Sequence, residues 1–336
     1  MIQQKWRLMI SGAIVLAAVC VISNIVQAAD YTIKFATSHS AMIPWGSTLL
    51  ELEKVIPERT YGRVEFKPFL GGSLYSGYAA PAQVASGGLE MSYGGFNMGS
   101  ISDGWKAITG LPYIIDSYEH YLRFCRTNAF SMLNKNLEAK GIKFIAQGGH
   151  PGFSHLFNSK RTVRSLEDFK GLKLRIPPIP GLTKMCAAFG AQSVTIDMAE
   201  VSSALQTGMV DGTFTPVVKL KSYDLIRNTP FATAANTTFI PISFVANTDF
   251  WNSLPQDLQE ILLNIFTEYG QKCHNVFRGM ENKLWELYKK GPGTMLHELT
   301  PAEKKEWQAA VRPIWKELTE KSNEAKMVIE AIEATR

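Results

Sequence analysis

The 336-residue sequence carries 35 Lys and Arg against 30 Asp and Glu, a formal net charge of +5, with 46% of its residues apolar and 19% charged. That length is enough for two domains, each with its own core. The charge balance is too mild for a nucleic-acid binder, and no basic run or basic-aromatic motif compensates.

Residues 1–28 place Lys5 and Arg7 ahead of an apolar stretch from Leu8 to Val26 and end in Val26-Gln27-Ala28, residues a signal peptidase reads. Cleavage after Ala28, and hence a periplasmic location, is expected. An uncleaved anchor stays open, because the stretch is nearly long enough to span a bilayer and is diluted only by Ser11, Gly12, Ser23 and Asn24. Val19 before Cys20 argues against lipid attachment there. The leader holds no acid, so its loss lowers +5 by two, to +3. Cys125, Cys186 and Cys273 then remain in helix-like apolar patterns, and buried free thiols are expected rather than a disulfide framework.

Beyond the leader, Tyr31, Ile33 and Phe35 alternate as a strand, and a helix from about Pro44 to Tyr61 follows. Val64 and Phe66 open a second strand, a helix from about Tyr75 to Ser86 comes next, and Leu89 to Tyr93 reads as a strand. Gly94-Gly95-Phe96-Asn97-Met98-Gly99 lacks both a dinucleotide fingerprint and a phosphate-loop lysine, and reads as a tight turn near a cleft. Ile142 and Phe144 mark a further strand. Leu172, Leu174 and Ile176 alternate with Lys173 and Arg175 until Pro177 and Pro178 forbid further pairing, so Arg175 sits at a strand's carboxyl end. In open α/β sheets ligands bind just outside such ends, and a guanidinium there holds a carboxylate by paired hydrogen bonds. A solvated arginine or a structural ion pair is the alternative reading of the same spacing.

Leu182, Met185, Cys186 and Phe189 then share one helix face, with Gly190 as the stop. Gln192 to Ile196 reads as a strand, Asp197 as an N-cap with Glu200 three residues on, and Val210, Gly212 and Phe214 as a strand ending at Pro216. Thr237 to Asn247 reads as one long strand with Pro241 at an edge or bend. From Pro255 to about Lys290 the apolar residues keep helical spacing for about 36 residues, about 54 Å, too long for one domain and suited to a strut across two. Thr300, Pro301 and Glu303 form a capping signature for a helix bearing Trp307, Val311, Ile314 and Trp315, kinked or broken at Pro313. The alternation predicts an α/β fold of helix-covered parallel sheets. No linker or repeat stands out, so the domain boundary is expected to be discontinuous: 30–150 plus 241–280, and 151–240 plus 281–336.

Phe169 to Pro177, Phe189-Gly190-Ala191, Glu200-Val201, Ala204 to Gly212 and Leu156 to Arg161 resemble the extracytoplasmic solute-binding proteins of TRAP transporters, the DctP family. Gly62-Arg63-Val64, Phe69 to Leu74, Leu111-Pro112-Tyr113 with Tyr118-Glu119-His120, and Asn247 with Trp251 to Pro255 extend the likeness from about Tyr31 to the long helix. The resemblance implies a periplasmic-binding-protein-like fold of two lobes around a cleft, capture of an organic anion by hinge closure, and delivery to small and large membrane subunits. A monomer without cofactor or metal is expected. A ligand sensor, or a secreted enzyme on the same fold, is the alternative.

The family's second arginine after Gly-Phe is Ser154 here, its Asn ahead of Pro216 is Thr215, and its Gln-Glu pair is Thr213-Phe214. A carboxylate on Arg175 is therefore expected to meet neutral donors at Ser154 and Thr215, with Phe214, Phe239, Phe96 and Trp45 as walls and Asn97 in the adjoining turn. That set favours a monocarboxylate with an apolar or aromatic body. Core packing is the alternative for each aromatic. Trp45 follows a loop, Ser38 to Pro44, that also offers His39 and Ser40. Catalytic patterns are weak: His150 and His155 have the wrong spacing for a helical zinc pair, and Gly152-Phe153-Ser154-His155 is no nucleophile elbow.

Overall fold

A computed structural model of the protein describes residues 28–75, 79–95, 98–291 and 293–336. The expected leader, apart from Ala28, lies outside the described residues, and none of their helices is long and apolar enough to cross a membrane. The strands in chain order are β1 (Tyr31–Ala36), β2 (Val64–Phe69), β3 (Met91–Gly94), β4 (Ile142–Gln147), β5 (Ser154–Asn158), β6 (Lys173–Ile176), β7 (Gln192–Thr195), β8 (Gly212–Pro216), β9 (Phe231–Thr238), β10 (Ser243–Asn247) and β11 (Met295–Glu298). The helices are α1 (Pro44–Arg59), α2 (Ala80–Ala85), α3 (Asp103–Gly110), α4 (Tyr118–Phe124), α5 (Asn128–Glu138), α6 (Pro180–Phe189), α7 (Val201–Gln206), α8 (Val217–Ser222), α9 (Thr248–Ser253), α10 (Gln256–Lys290), α11 (Pro301–Lys321) and α12 (Asn323–Ala334).

These elements make a two-lobed α/β fold. One sheet has the order β2-β1-β3-β10-β4, the other β11-β9-β5-β8-β6-β7. The apolar positions that predict the strands are its buried face: Ile33, Phe35 and Val64 in the first lobe and Leu174 in the second are 0% exposed. β1 is parallel to β2 and β3, and β6 to β7 and β8, as strand–helix–strand units demand.

Neither sheet is wholly parallel. β10 enters antiparallel between β3 and β4, and β5 is antiparallel to β8 and β9. Both intruders start where the chain has just crossed between sheets, from β4 to β5 and from β9 to β10. Strands that run toward the cleft finish there, and strands that have just crossed it begin there, so they must point the other way. The single strand predicted over Thr237 to Asn247 is accordingly two. β9 ends at Thr238 in one sheet and β10 starts at Ser243 in the other, and Pro241, with no N–H to pair, lies in the crossing.

The predicted strut is α10, 35 residues long, or about 52 Å at 1.5 Å per residue. It packs on α1 and β4 of the first lobe and on α8 and β11 of the second. Its approach to β4 depends on Gly270: a Cβ there would lie 1.8 Å from the Gln147 carbonyl oxygen. α11 begins with the expected capping box, the Thr300 hydroxyl accepting from the Glu303 N–H and the Glu303 carboxylate from the Thr300 N–H. It runs on through Pro313 without breaking, where the sequence predicts a kink or an end. Trp307, Val311, Ile314 and Trp315 are buried along its length, and Trp315 donates from Nε1 to the Pro112 carbonyl at 2.9 Å, so tertiary packing outweighs the missing hydrogen bond.

The last helix, which the sequence pattern places with the second domain, returns to the first. α12 packs on α3, α4 and α5. Ser102 Oγ and the Gly104 N–H both donate to Glu324 Oε2 at 2.9 Å, and Arg123 Nε donates to the Thr335 carbonyl at 2.7 Å. Cys186 and Cys273 are buried free thiols, and Cys125 is a half-buried one.

Candidate functional site

Between the lobes lies a cavity of about 80 Å³ whose wall comes from strand ends of both sheets. The second lobe contributes Ser154 from the start of β5, Arg175 from β6, and Phe214 and Thr215 from the end of β8; the first contributes Thr37, Ser38 and His39 after β1, with Tyr93 and Gly94 of β3. Register explains the convergence. Ser154 stands opposite Pro216 across the β5–β8 pair, and Arg175 opposite Thr213 across β6–β8, so the carboxyl ends of β6 and β8 and the amino end of β5 meet at one edge.

Arg175 is 3% exposed. Its Nε donates to the Ile196 carbonyl at 2.8 Å, and Nη1 lies 3.5 Å from the Met198 sulfur. These contacts hold the plane of the guanidinium against the segment that follows β7, on the cavity wall. A surface arginine would pay more rotamer entropy to grip a ligand than one oriented in this way.

A second cation joins it that the sequence pattern does not single out. Lys219, one turn into α8, lines the same cavity. Burial, and then the charge of Arg175, pull its pKa down to about 7. On the facing wall His39 is lowered to about 3, by burial and then by the charge of Lys219, so it is neutral at physiological pH. His39 stacks on Trp45 with ring centroids 4.3 Å apart, and its Nδ1 has no hydrogen-bond partner among the described residues. The one acid on the cavity wall among the described residues is Asp197, exposed at its rim, with Oδ1 accepting from the Met198 N–H at 3.0 Å.

Of the residues singled out in the sequence, Arg175, Ser154, Thr215 and Phe214 come together on the wall. Trp45 and Phe239 do not reach it. Trp45 is 0% exposed, behind His39 and against Phe277, and Phe239 is 1% exposed, stacked on His150 at 3.7 Å. Both serve the packing behind the wall, because α10 and the crossing segments cover the faces these rings occupy. Phe96 and Asn97 lie outside the described residues. His150 and His155 do not face each other as ligands. His150 Nδ1 accepts from the Gly152 N–H at 3.1 Å, His155 Nδ1 from the Ala235 N–H at 3.2 Å, and burial lowers the pKa of both. No group of His, Cys, Asp and Glu among the described residues has the arrangement of a metal site.

The lobes are joined by the crossings at 148–153 and 239–242, by α10, and by the passage from α11, which packs on α6, to α12, which packs on the first lobe. Gly149 and Gly152 adopt φ +92° and +96°, and Cβ atoms there would fall 2.9 Å from the Cys273 sulfur and 2.7 Å from Glu281 Oε1. The first crossing therefore runs tight against the strut in a conformation that favours glycine.

Comparison with known proteins agrees with this architecture. The family described as bacterial extracellular solute-binding protein, family 7 (DctP), matches residues 35–322. The C4-dicarboxylate-binding periplasmic protein DctP of Rhodobacter capsulatus is 27% identical over 292 residues, 86% of each chain. Among solved structures, a TRAP periplasmic solute-binding protein from Roseobacter denitrificans with bound β-D-glucuronate superposes with TM-score 0.84 at 22% identity, covering 91% of this chain and 100% of that one. Another, from Sulfurospirillum deleyianum with bound succinate, gives 0.79 at 25% identity, over 92% and 100% of the two chains.

Proposed function

The chain belongs to the bacterial extracellular solute-binding proteins of family 7, the DctP family, and on that premise we propose that it captures a small organic acid in the interlobe cavity and presents it to the small and large membrane subunits of a TRAP transporter. Capture is in the periplasm, and the protein acts as a monomer without covalent chemistry, cofactor or metal. The observation that carries the reading is the buried Arg175 guanidinium, oriented by the Ile196 carbonyl on the cavity wall. A carboxylate docked on it receives charge-assisted hydrogen bonds in a desolvated space, where such bonds are strong. Ser154 and Thr215 add neutral hydroxyl donors from the neighbouring strands, and Phe214 supplies apolar wall.

Closure follows from the placement of these groups. Ligand held on the second lobe makes its remaining contacts only when Thr37, Ser38 and His39 approach from the first, so it binds the closed form better and shifts the population toward it. The hinge is the pair of crossings, with α10 keeping the lobes in register. Titrating organic acids into the wild type and Arg175→Ala by calorimetry tests the reading. Loss of about 2 to 5 kcal/mol of binding is expected when the buried carboxylate is left unpaired, and unchanged affinity removes Arg175 from the role.

A further inference from the structure

We propose that the groove between α3, α6 and α11 is a second ligand site, which takes a free medium-chain carboxylate with its alkyl chain in the groove and its head among the lysines at the edge. None of the groove's lining residues lines the interlobe cavity, so the site goes beyond the reading given to that cavity and does not depend on it.

The groove forms where the lobes touch through helix ends. α3 of the first lobe finishes at Gly110 and α6 of the second starts at Pro180, so the carboxyl pole of one helix dipole meets the amino pole of the other. The backbones come together because neither glycine has a side chain: a Cβ on Gly181 would lie 1.9 Å from the Gly110 carbonyl oxygen. α11 passes alongside, packed on α6 and tied to the loop after α3 by the bond from Trp315 to the Pro112 carbonyl. Gly110, Leu111, Pro180, Gly181, Ile314 and Leu318 line a space of about 230 Å³, against about 80 Å³ for the interlobe cavity.

Those walls are aliphatic side chains and backbone already engaged in helices, so water in the groove finds few partners and an alkyl chain that displaces it gains the free energy of apolar burial. The edge has the opposite character. Lys106, Lys184 and Lys321 border the same groove with side chains 44%, 46% and 70% exposed. Each is paired: Lys106 with Asp103, and Lys184 and Lys321 both with Glu317, whose pKa Lys184 and then Lys321 lower to about 2. Three ammoniums thus share two carboxylates, and one further carboxylate balances the edge without breaking a pair. An apolar trough with one positive charge in excess at its edge is the complement of a molecule with one alkyl tail and one anionic head. A short anion such as acetate would meet only solvated lysines, and a trough walled by three helices admits a single chain rather than the surface of a bilayer.

The test uses the purified full-length protein and calorimetry with octanoate, hexanoate and octanol, each below its aggregation limit. Octanoate is expected to bind roughly tenfold more tightly than hexanoate, at about fourfold per added CH₂, and about threefold or more tightly than octanol. Leu318→Glu is expected to abolish octanoate binding. Gly181→Ala is expected to weaken it severalfold although it adds a methyl group, because the new Cβ drives α6 away from α3 and parts the walls. Lys184→Gln combined with Lys321→Gln is expected to erase the advantage over octanol, and Arg175→Ala to leave octanoate unchanged. A loss of octanoate binding in Arg175→Ala would put the chain in the interlobe cavity and overturn the inference. Equal affinity for hexanoate and octanoate, or for octanoate and octanol, overturns it too, as does a Leu318→Glu protein that binds like the wild type. Capture of the protein by phosphatidylglycerol vesicles, lost in Leu318→Glu, would make the groove a membrane contact instead. If Leu318→Glu fails to fold by circular dichroism, Leu318→Ser takes its place.

Discussion

The wall of the cavity on the second lobe carries Arg175 and Lys219 with the hydroxyls of Ser154 and Thr215, whereas the wall on the first carries Thr37, Ser38 and a neutral His39 backed by Trp45 and Tyr93. Both are strand-end walls from α/β sheets, yet formal positive charge is concentrated on one of them. Under the proposed function the charged wall would draw and hold the anion, and the neutral wall would close over it, excluding water and strengthening the contacts already made.

The largest effects should come from the charged wall. Arg175→Ala is expected to cost about 2 to 5 kcal/mol of binding, or very roughly 30-fold to several thousand-fold in dissociation constant, measured by calorimetry. Arg175→Lys is expected to recover only part of this, since an ammonium cannot reproduce the paired bonds or the contact with the Ile196 carbonyl. A His39 variant with a loss as large as that of Arg175→Ala would break the contrast between the walls.

Next comes the joint between them. Gly152→Ala places a Cβ 2.7 Å from Glu281 Oε1 at φ +96°, and a destabilisation of about 1 to 3 kcal/mol is expected, read as a lower midpoint in denaturant unfolding. An unaltered midpoint would mean that the first crossing shifts freely against α10.

A smaller effect belongs to the neutral donors. Thr215→Val keeps the shape and removes one hydroxyl, with an expected binding loss of about 1 kcal/mol; a loss equal to that of Arg175→Ala would raise Thr215 from helper to clamp.

The remaining test is a pH slope on the neutral wall, read on stability rather than on binding. The pKa of His39 is lowered to about 3 by burial and Lys219, so below about 6.5 the unfolded chain binds a proton that the folded chain refuses. Stability from this group is complete above about pH 6.5 and is lost as pH falls toward 3. The melting temperature of the unliganded protein should therefore decline less steeply over that window in His39→Gln than in the wild type. Equal slopes would move the effect to His155, which burial lowers to about 3 as well.

The legible parts of this protein were those set by a few adjacent residues. Leu172, Leu174 and Ile176 before Pro177 mark a strand with Arg175 at its end, and β6 is that strand. The long periodic run after Pro255 is α10, and Thr300 with Glu303 is a working capping box. What was not legible needed contacts distant in sequence. Trp45 and Phe239 have the composition of wall residues but are covered by α10 and the crossings. Lys219 sits in a six-residue helix whose facing depends on α8 packing against α10, more than 30 residues away in the chain.

The sequence by itself determined the α/β class, the strut and the strand-end arginine, because periodicity, proline and capping act within a few residues of one another, while the two lobes around a cleft were what the resemblance to the DctP family implied. Only the tertiary structure decided which way the crossing strands run, where the last helix docks and how many cations share the cavity. Those depend on which surfaces exclude water from each other once the chain has folded back on itself, and neighbouring residues carry no record of that.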